Sequence, residues 1–290
     1  ASNFNMISLK RALIIAGMCS LYACESPLDS TALTYKPRLV VNSLMTSDQV
    51  VWATVNSNIS LVDTIGPAPI ENATVQLVDQ NGNVRSMAFN FGQGRYEANV
   101  NPKPGERYEI VANYANFPQA KGSTEVPPAL NLPPSTWVDN TGVDADGFPT
   151  GTLSLKIVDS KQERNYYEIT LYRYDDFIAQ WFVINPDFHD AELASQSIAT
   201  ANGGFVISDA LFNGDVKTFN FHTPFASKGQ QYKYMVEVRS LNESYFLYTQ
   251  SLDQYTQASG LFTEPVSVYT NIEGGLGICA AASVLKDTLR

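Results

Sequence analysis

The sequence predicts a mainly β protein made of two antiparallel β-sandwich domains. Short segments in which apolar and polar residues alternate recur at roughly ten-residue intervals, and Gly, Asn and Pro residues stand between them. A 3.6-residue period, typical of an amphipathic helix, occurs at one place near the C-terminus. Short strands separated by turn residues are typical of sandwiches, whereas a parallel sheet needs a long crossover, usually a helix, between its strands.

The N-terminal segment predicts a cleaved signal peptide at 1–23, which includes an upstream extension before Met6. Two basic residues, 10–11, precede an apolar stretch of about a dozen residues, whereas a membrane-spanning helix needs roughly 20. Cys24 follows this stretch directly and predicts a lipoprotein processing site with lipid on that cysteine. An ordinary secretory signal and a buried N-terminal helix are the alternatives.

The charge of the mature chain excludes some partners. Cleavage before Cys24 removes two of the 19 basic residues and none of the 29 acidic ones, which leaves a formal charge of −12. Nucleic acid binding depends on clustered Lys and Arg residues, and the chain has no such cluster. The same acidity disfavours direct docking on anionic lipid. We therefore expect no nucleic acid partner.

The three cysteines are not expected to form an intramolecular disulfide. Cys19 leaves with the signal peptide, and Cys24 carries the lipid. Cys279 lies in the apolar run 276–284, which predicts a buried structural residue rather than a reactive thiolate.

The first folded domain is predicted at 37–126, after a lipidated polar tether at 24–36. Its clearest turn is 81–82, an Asn-Gly pair, because both central residues of a type I′ hairpin need positive φ. The pattern favours a sandwich of immunoglobulin or transthyretin type. The predicted strands are 38–44, 50–56, 73–78, 84–89, 94–100 and 106–114.

The second domain is predicted at 135–290, beyond a connector at 127–134. Four of the eight connector residues are proline, which fixes φ and predicts an extended, semi-rigid segment. Strand 166–174 has the clearest alternation. The predicted strands are 136–138, 151–158, 166–174, 180–184, 203–208, 218–222 and 231–239. In strand 166–174 the expected inward residues are Tyr167, Ile169 and Leu171, and the expected outward residues are Glu168, Thr170 and Tyr172.

Two features distinguish the second domain. An insertion at 185–202 is long enough to carry a short helix and to form a contact surface. An amphipathic helix is predicted at about 242–258, with Ser240 and Glu243 in a capping-box pattern. Closing strands are expected at 266–270 and 276–282, joined through Gly274 and Gly275.

Recognised catalytic motifs are absent from the sequence. Neither His189 nor His222 stands in a metalloprotease or nucleophile-elbow motif. The insertion has potential metal ligands at Asp187, His189, Asp190 and Glu192, but the pattern favours a solvated polar loop over a metal site. Asp139, Asp144 and Asp146, before Gly147, lack the full calcium-loop spacing and its distal Glu. We therefore predict no catalytic residue, no metal and no cofactor.

Aromatic residues are the remaining candidates for contact with a ligand or partner. Several lie close together on the predicted strands of the second domain. Exposed rings stack on sugars or anchor protein interfaces, whereas buried rings form core and cross-strand pairs. Together with the insertion histidine, the candidate contact residues are Trp181, Phe182, His189, Tyr172 and Tyr174.

Motifs near both ends of the mature chain resemble a known family. They are the Glu-Pro-Val at 264–266, the segment 269–278 with its Asn-Ile-Glu-Gly-Gly-Leu-Gly core, the strand at 39–44, and the strand at 73–79 that enters a Gly-Asn turn. This chain resembles an uncharacterised family of Bacteroidota outer-membrane lipoproteins, a domain of unknown function often encoded near TonB-dependent receptors. The resemblance covers nearly the whole mature chain. It implies an outer-membrane location and a β-barrel partner, with the cell surface favoured over the periplasmic face and the periplasmic face as the open alternative.

Three hypotheses for function follow. The first is a lipid-anchored, non-enzymatic accessory of an envelope complex, associated with a TonB-dependent β-barrel transporter. The second is a lipoprotein that binds a glycan or another ligand through the aromatic residues and the insertion. The third is an unrecognised hydrolase, which requires polar groups that converge on His189 or His222.

Overall fold

The structure is a computed structural model that describes residues 36–59, 66–144, 146–161, 163–185, 187–188, 190–224, 226–227, 230–258 and 266–289. The predicted signal peptide, Cys24, most of the tether and His189 lie outside the described residues. Residues from Pro37 onward form one compact unit. No helix in the described ranges combines the length and apolar character that a bilayer-spanning helix requires.

The described residues form 21 strands and two α-helices, which confirms the mainly β fold with sandwich-like sheets and one helix near the C-terminus. The helices are α1 (Ala191–Gln196) and α2 (Glu243–Gln257). The strands are β1 (Leu39–Thr46), β2 (Val51–Ser57), β3 (Thr74–Asp79), β4 (Val84–Ser86), β5 (Ala88–Asn90), β6 (Arg95–Ala98), β7 (Arg107–Asn113), β8 (Ala120–Glu125), β9 (Thr136–Val143), β10 (Pro149–Val158), β11 (Tyr166–Asp175), β12 (Gln180–Ile184), β13 (Asp187–Phe188), β14 (Ile198–Ala199), β15 (Phe205–Ser208), β16 (Val216–Pro224), β17 (Ala226–Ser227), β18 (Gln230–Gln231), β19 (Lys233–Leu241), β20 (Ile272–Glu273) and β21 (Leu276–Leu289).

One large sheet runs through both predicted domains, in the order β14-β15-β11-β19-β21-β1-β2-β6-β5, with β12 also paired to β11. The strand β21 links the two halves. Its first half pairs in parallel with β1, from Val40 beside Leu276 to Thr46 beside Ala282. Its second half pairs antiparallel with β19, and Leu289 lies opposite Tyr234. The C-terminal strand therefore continues seven residues beyond the predicted 276–282.

Two main hydrophobic cores lie on this sheet. The first is closed by the sheet β20-β8-β7-β3-β4 and includes Leu39, Val55 and Ile110. Cys279 and Ala281 of β21 also belong to it, so a segment that the sequence assigned to the second domain completes the first core. The second core lies under the sheet β13-β16-β10-β9 and is dominated by apolar residues of β10, β11, β16 and β19.

The predicted outward face of β11 is buried, which corrects the expectation for that strand. Glu168 is 1% exposed and Thr170 is also buried. The helix α2 packs on this face, where Phe246 stacks on Tyr166 with 4.4 Å between the ring centroids. Alternation of apolar and polar residues therefore identified the two faces of β11, but the polar face is covered by another element.

Two local predictions near α2 are also corrected. The N-cap is Asn242 rather than Ser240, because the Asn242 side chain accepts the backbone N–H of Tyr245 at 3.2 Å. The predicted strand at 266–270 is not formed. Instead, the N–H of Tyr269 donates to Oγ of Ser251 on α2 at 2.8 Å, so this segment bonds to side chains of the helix rather than to a strand.

The glycine-rich segment before β21 is a tight structural turn. The Asn271 side chain donates to the carbonyl of Cys279 and accepts its N–H, both at 2.8 Å. It thus makes the two hydrogen bonds that a neighbouring strand would make with the backbone of Cys279. Gly277 has φ +104°, and a Cβ there would lie 2.2 Å from the carbonyl oxygen of Val41. Backbone contact with β1 therefore requires glycine at 277.

Candidate functional site

Two hairpins turn at the same end of the second core. Thr150 at the start of β10 lies opposite Pro224, and Thr223 beside it donates to the hydroxyl of Tyr234 at 3.4 Å. Tyr234 lies opposite Arg173 near the end of β11. The β9–β10 turn and the β11–β12 turn therefore project from one end of the sandwich.

Large apolar side chains are exposed on both turns. Phe177 is 97% exposed, Phe148 is 61% exposed, and Val143 and Ile178 are also exposed. We call Val143, Phe148, Phe177 and Ile178 the apolar end. Single exposed apolar residues are common, but several at one end of a fold mark a surface for interaction.

An aspartate orders each of the two turns. Asp144 Oδ1 accepts the N–H groups of Asp146 at 3.0 Å and Phe148 at 2.8 Å. Asp175 Oδ1 likewise accepts the N–H of Phe177 at 2.9 Å and of Ile178 at 3.2 Å. These side chain to backbone bonds favour turn conformation. The apolar end is therefore presented on locally ordered backbone.

The strand β12 extends this exposed apolar surface. Trp181, Phe182 and Val183 are between 36% and 41% exposed. The Trp181 ring lies against Tyr174, with 5.1 Å between centroids. Lys233 places its ammonium over the Tyr174 ring and pairs with Asp176 at 3.0 Å. Lys233 therefore covers part of the Tyr174 ring, and the Trp181 ring remains partly exposed to solvent.

The predicted contact residues divide into three groups. Trp181 and Phe182 are exposed on β12, and Tyr174 lies beside Trp181. Tyr172 is half-buried on the same face of β11 as Tyr174, opposite Val183 in the register, and burial followed by the charge of Glu237 raises its pKa. His189 lies outside the described residues. The structure therefore places Trp181, Tyr174 and Tyr172 on one face of the sheet and Phe182 on the other.

The four residues of the apolar end were not predicted from the sequence. Phe148 and Phe177 each follow an aspartate-containing turn, within Asp-Gly-Phe and Asp-Asp-Phe segments. An aromatic residue inside a turn, where no strand pairing can bury it, was the available indication.

An ion network, buried at Glu168 and Glu237 and partly exposed at Lys286, lies on the polar face of β11, β19 and β21. Arg239 contacts Glu168 at 3.0 Å and Glu237 at 2.6 Å. Lys286 contacts Glu237 at 3.3 Å and Asp48 at 2.7 Å. Burial raises the pKa of Glu168, and the neighbouring Arg239 opposes that rise. The network connects three strands and the turn after β1, which indicates a structural role.

His222 lies in a row of polar residues on the four-stranded sheet. Its Nδ1 is 3.3 Å from the hydroxyl of Thr152, which in turn donates to Thr141 at 2.7 Å. Asp187 is opposite His222 in the strand register, although its side chain lies outside the described residues. His222 therefore has polar neighbours, as the hydrolase hypothesis requires. The nucleophile of a serine hydrolase of the nucleophile-elbow type is an exposed serine on a strained turn. The hydroxyl beside His222 instead belongs to Thr152 and donates to Thr141.

The acidic residues singled out as potential metal ligands have other partners. Asp190 Oδ1 accepts two N–H groups at the start of α1, and its Oδ2 contacts Lys217 at 2.9 Å. Asp139 accepts the indole N–H of Trp137 at 2.6 Å, and Asp144 holds its own turn. Within the described residues, no group of three or more His, Cys, Asp or Glu side chains is arranged to hold a metal ion.

A cleft of about 440 Å³ lies near the start of α2. Its walls include Glu125, Glu163, Arg164 and Glu243, so acidic groups outnumber basic ones. Tyr166 also lines it and donates to Glu243 at 3.4 Å. The acidic walls disfavour a phosphate or carboxylate ligand despite the nearby helix N-terminus.

Comparisons with known proteins give a family and no function. A family profile described as "Domain of unknown function (DUF4249)" matches residues 25–288. No curated protein matches the sequence. A solved structure titled manganese lipoxygenase of Gaeumannomyces graminis and zonadhesin of Komagataella pastoris is 10% identical, with 87% of this chain and 95% of that chain covered and a TM-score of 0.21. A biofilm-associated protein B domain is 8% identical, with 86% and 85% covered and a TM-score of 0.20. These TM-scores are too low to carry an inference.

Proposed function

This chain belongs to the family described as a domain of unknown function (DUF4249), and from that premise we propose that it is a lipid-anchored, non-enzymatic accessory protein of an outer-membrane complex. The proposed partner is an integral β-barrel protein, a TonB-dependent transporter, and the proposed location is the cell surface. The observation that supports a binding role is the apolar end, with Phe177 97% exposed on an ordered turn.

The position of the apolar end fits attachment through Cys24. The chain enters the folded unit just before β1, whose Val40 lies beside Leu276. The apolar end lies near the other end of β21, because Tyr234 pairs with Leu289. The 13 residue steps from 276 to 289 correspond to about 43 Å along the strand. Partner contact at this distance from the anchored end suits an extramembrane loop or domain of a barrel.

The nature of the surface favours a protein partner. Hydrogen bonds from backbone N–H groups to Asp144 and Asp175 order the turns that carry the phenylalanine and isoleucine side chains, and aromatic residues are enriched in interface cores. Several charged side chains are engaged within the fold: Arg239 contacts Glu168, Asp144 holds its turn, and Asp190 caps α1. Recognition rather than catalysis is the chemistry that the surface supports.

Purification from native membranes tests this proposal. We expect the full-length lipoprotein, extracted in mild detergent, to copurify with a β-barrel protein. Replacing Phe177 and Ile178 together with Ser should reduce recovery of that protein at least tenfold, because each buried apolar side chain contributes roughly 1.5–3 kcal/mol. Phe91→Ser is the matched control, since Phe91 is also exposed but lies on the first half of the molecule.

Two results would contradict the proposal. One is a preparation in which no β-barrel protein copurifies. The other is equal recovery of the barrel with the double Phe177 and Ile178 variant and with the wild type, which would leave the apolar end without a role.

Glycan binding is the second candidate, and the Trp181–Tyr174 pair favours it. An exposed ring backed by another aromatic ring is a suitable platform for a sugar. If this candidate is right, binding of the purified protein to a glycan array will be lost in Trp181→Ala and retained in Phe91→Ser. An array without any bound glycan would exclude the sugars tested as ligands.

A further inference from the structure

The strand β12 lies at an edge of the large sheet and lacks the features that usually prevent another strand from pairing with such an edge. It pairs with β11 on one side, and no strand within the described ranges pairs with its other side. All five residues of β12, from Gln180 to Ile184, are uncharged, and four are aromatic or β-branched. Such residues favour strands, and an exposed edge of this composition pairs readily with another chain.

Other edge strands of the same molecule carry protection. The strand β4 is three residues long and contains Arg85. The strand β9 contains Asp139, and its pairing with β10 shifts register between Thr150 and Thr152. Short length, charge and bulges are the usual means of preventing strand addition. The strand β12 has neither the charge nor the register shift.

We infer that an extended segment of the partner polypeptide adds to β12 as a new strand. The inference rests on the proposed function and specifies how the partner is held. The unpaired N–H and C=O groups of an edge are matched by another extended backbone, which a sugar or a helix does not provide. Trp181 and Val183 flank one face of the added strand and Phe182 the other, so the segment should be uncharged and rich in aromatic or β-branched residues.

A second copy of this chain fits the edge less well than a different protein. Symmetric self-pairing of β12 is antiparallel and would point the two β21 strands in opposite directions. Because the middle of β12 is level with Leu289, the two β1 ends would lie at opposite ends of the dimer, about 86 Å apart along the strand direction. Lipid on both copies of Cys24 could reach one membrane only if β21 lay along the bilayer, which the −12 charge disfavours on anionic lipid.

Site-specific photo-crosslinking in intact host cells tests strand addition. A photoreactive amino acid replaces Gln180, Phe182 or Ile184, one at a time, in the full-length lipoprotein. These three positions share one face of β12, so an added strand should be linked at residues spaced by two along a single partner segment. The same probe at Val84, which is exposed on the edge strand β4, is the matched control.

A charge at the edge provides the second measurement. Phe182→Lys should reduce the adducts from 180 and 184 at least tenfold, because a lysine on an edge opposes strand pairing. Val84→Lys should leave them unchanged. Thermal melting of both variants establishes that they remain folded.

Three results would overturn strand addition. They are adduct yields no higher than those at Val84, crosslinked residues scattered over unrelated segments, and adducts that join two copies of this chain. If the Phe177 and Ile178 variant loses the barrel protein while 180, 182 and 184 show no ordered crosslinks, strand addition fails and the proposed function stands. If no barrel protein is found by either method, both fail.

Discussion

Glu168 illustrates how a single buried carboxylate depends on distant residues. It is 1% exposed, and its Oε2 contacts Arg239 on the neighbouring strand. Burial disfavours the charged form and raises its pKa, an effect that Arg239 reduces but does not cancel. Glu237 lies on the same Arg239 and adds a like charge. The fold therefore tolerates Glu168 more easily when it is protonated.

The stability of the protein should consequently depend on pH through Glu168. A carboxyl whose pKa is raised on folding binds more protons in the folded state, so its contribution is complete below the unfolded pKa of about 4.3 and is lost as pH rises through the folded pKa. We expect the melting temperature of the wild type to fall relative to that of Glu168→Gln as pH rises from about 4.5 to neutrality. Because one proton is involved, the free energy of unfolding should change by at most about 1.4 kcal/mol per pH unit.

Thermal melts at several pH values measure this difference. The control is Glu273→Gln, because Glu273 is exposed, and its curve should run parallel to that of the wild type. Parallel curves for the wild type and Glu168→Gln would show that Glu168 does not titrate differently in the folded state.

At this scale the sequence predicted some side chains and not others. Cys279 was expected in the core, and it is fully buried, with burial raising its pKa to about 12. Glu168 was expected to face solvent, because a charged residue in an alternating strand normally does. Its partner Arg239 is 71 residues away in the chain, and α2 covers the same face. Neither relationship is contained in the local pattern of β11.

At the scale of elements, contacts in the turn before β21 explain why the motif at 271–277 needs its asparagine and glycines. Asn271 holds the backbone of Cys279, and Gly277 lets β21 lie against Val41. Gly274 has φ +71°, and a Cβ there would lie 2.1 Å from the carbonyl oxygen of Gln119. These residues carry part of the family resemblance, and their contacts assign them to folding rather than to chemistry.

Gly277→Ala should therefore be strongly destabilising. The substitution combines an unfavourable positive φ with a Cβ placed inside the contact distance of Val41, for an expected loss of about 2–4 kcal/mol. Chemical denaturation measures the loss. Gly82→Ala is the matched control, because Gly82 also has positive φ (+80°) but has no atom within 4 Å of its Cβ position.

The comparison isolates the backbone contact. Gly82→Ala should lower the free energy of unfolding only through its unfavourable positive φ, by roughly 1–2 kcal/mol. Equal losses for the two variants would mean that the approach of β21 to β1 does not require glycine at 277.

Element boundaries were predicted well where the pattern was local. The strand at 180–184 and the helix at about 242–258 match β12 and α2 closely. The pairing of β1 with β21 was not predictable, because these strands are more than 200 residues apart and parallel. The exposure of β12 also depends on pairing: the sequence identified Trp181 and Phe182 as contact candidates, but only the sheet order shows that their strand lies at an edge.

At the scale of the whole molecule, the two ends of the long strand β21 have different neighbours. The chain enters the folded unit beside one end of β21, and the apolar end lies beside the other. If the chain is anchored at Cys24, partner binding and membrane attachment use opposite ends of one sheet. Substitutions at either end should then act independently, since sites with no shared contacts usually behave additively.

Cys24→Ser tests this separation and the anchor together. Stable membrane attachment needs more than one acyl chain, so a protein without the lipidated cysteine should move to the soluble fraction. Its melting temperature should be unchanged, because the cores of the folded unit begin at Leu39. Cys279→Ala is the matched control and should stay with the membranes despite losing a buried thiol. Fractionation followed by immunodetection measures both variants. Retention of Cys24→Ser in the membranes would contradict the lipid anchor. Release with an unchanged melting temperature would show that the residue needed for membrane attachment is not needed for the stability of the folded unit that carries the apolar end.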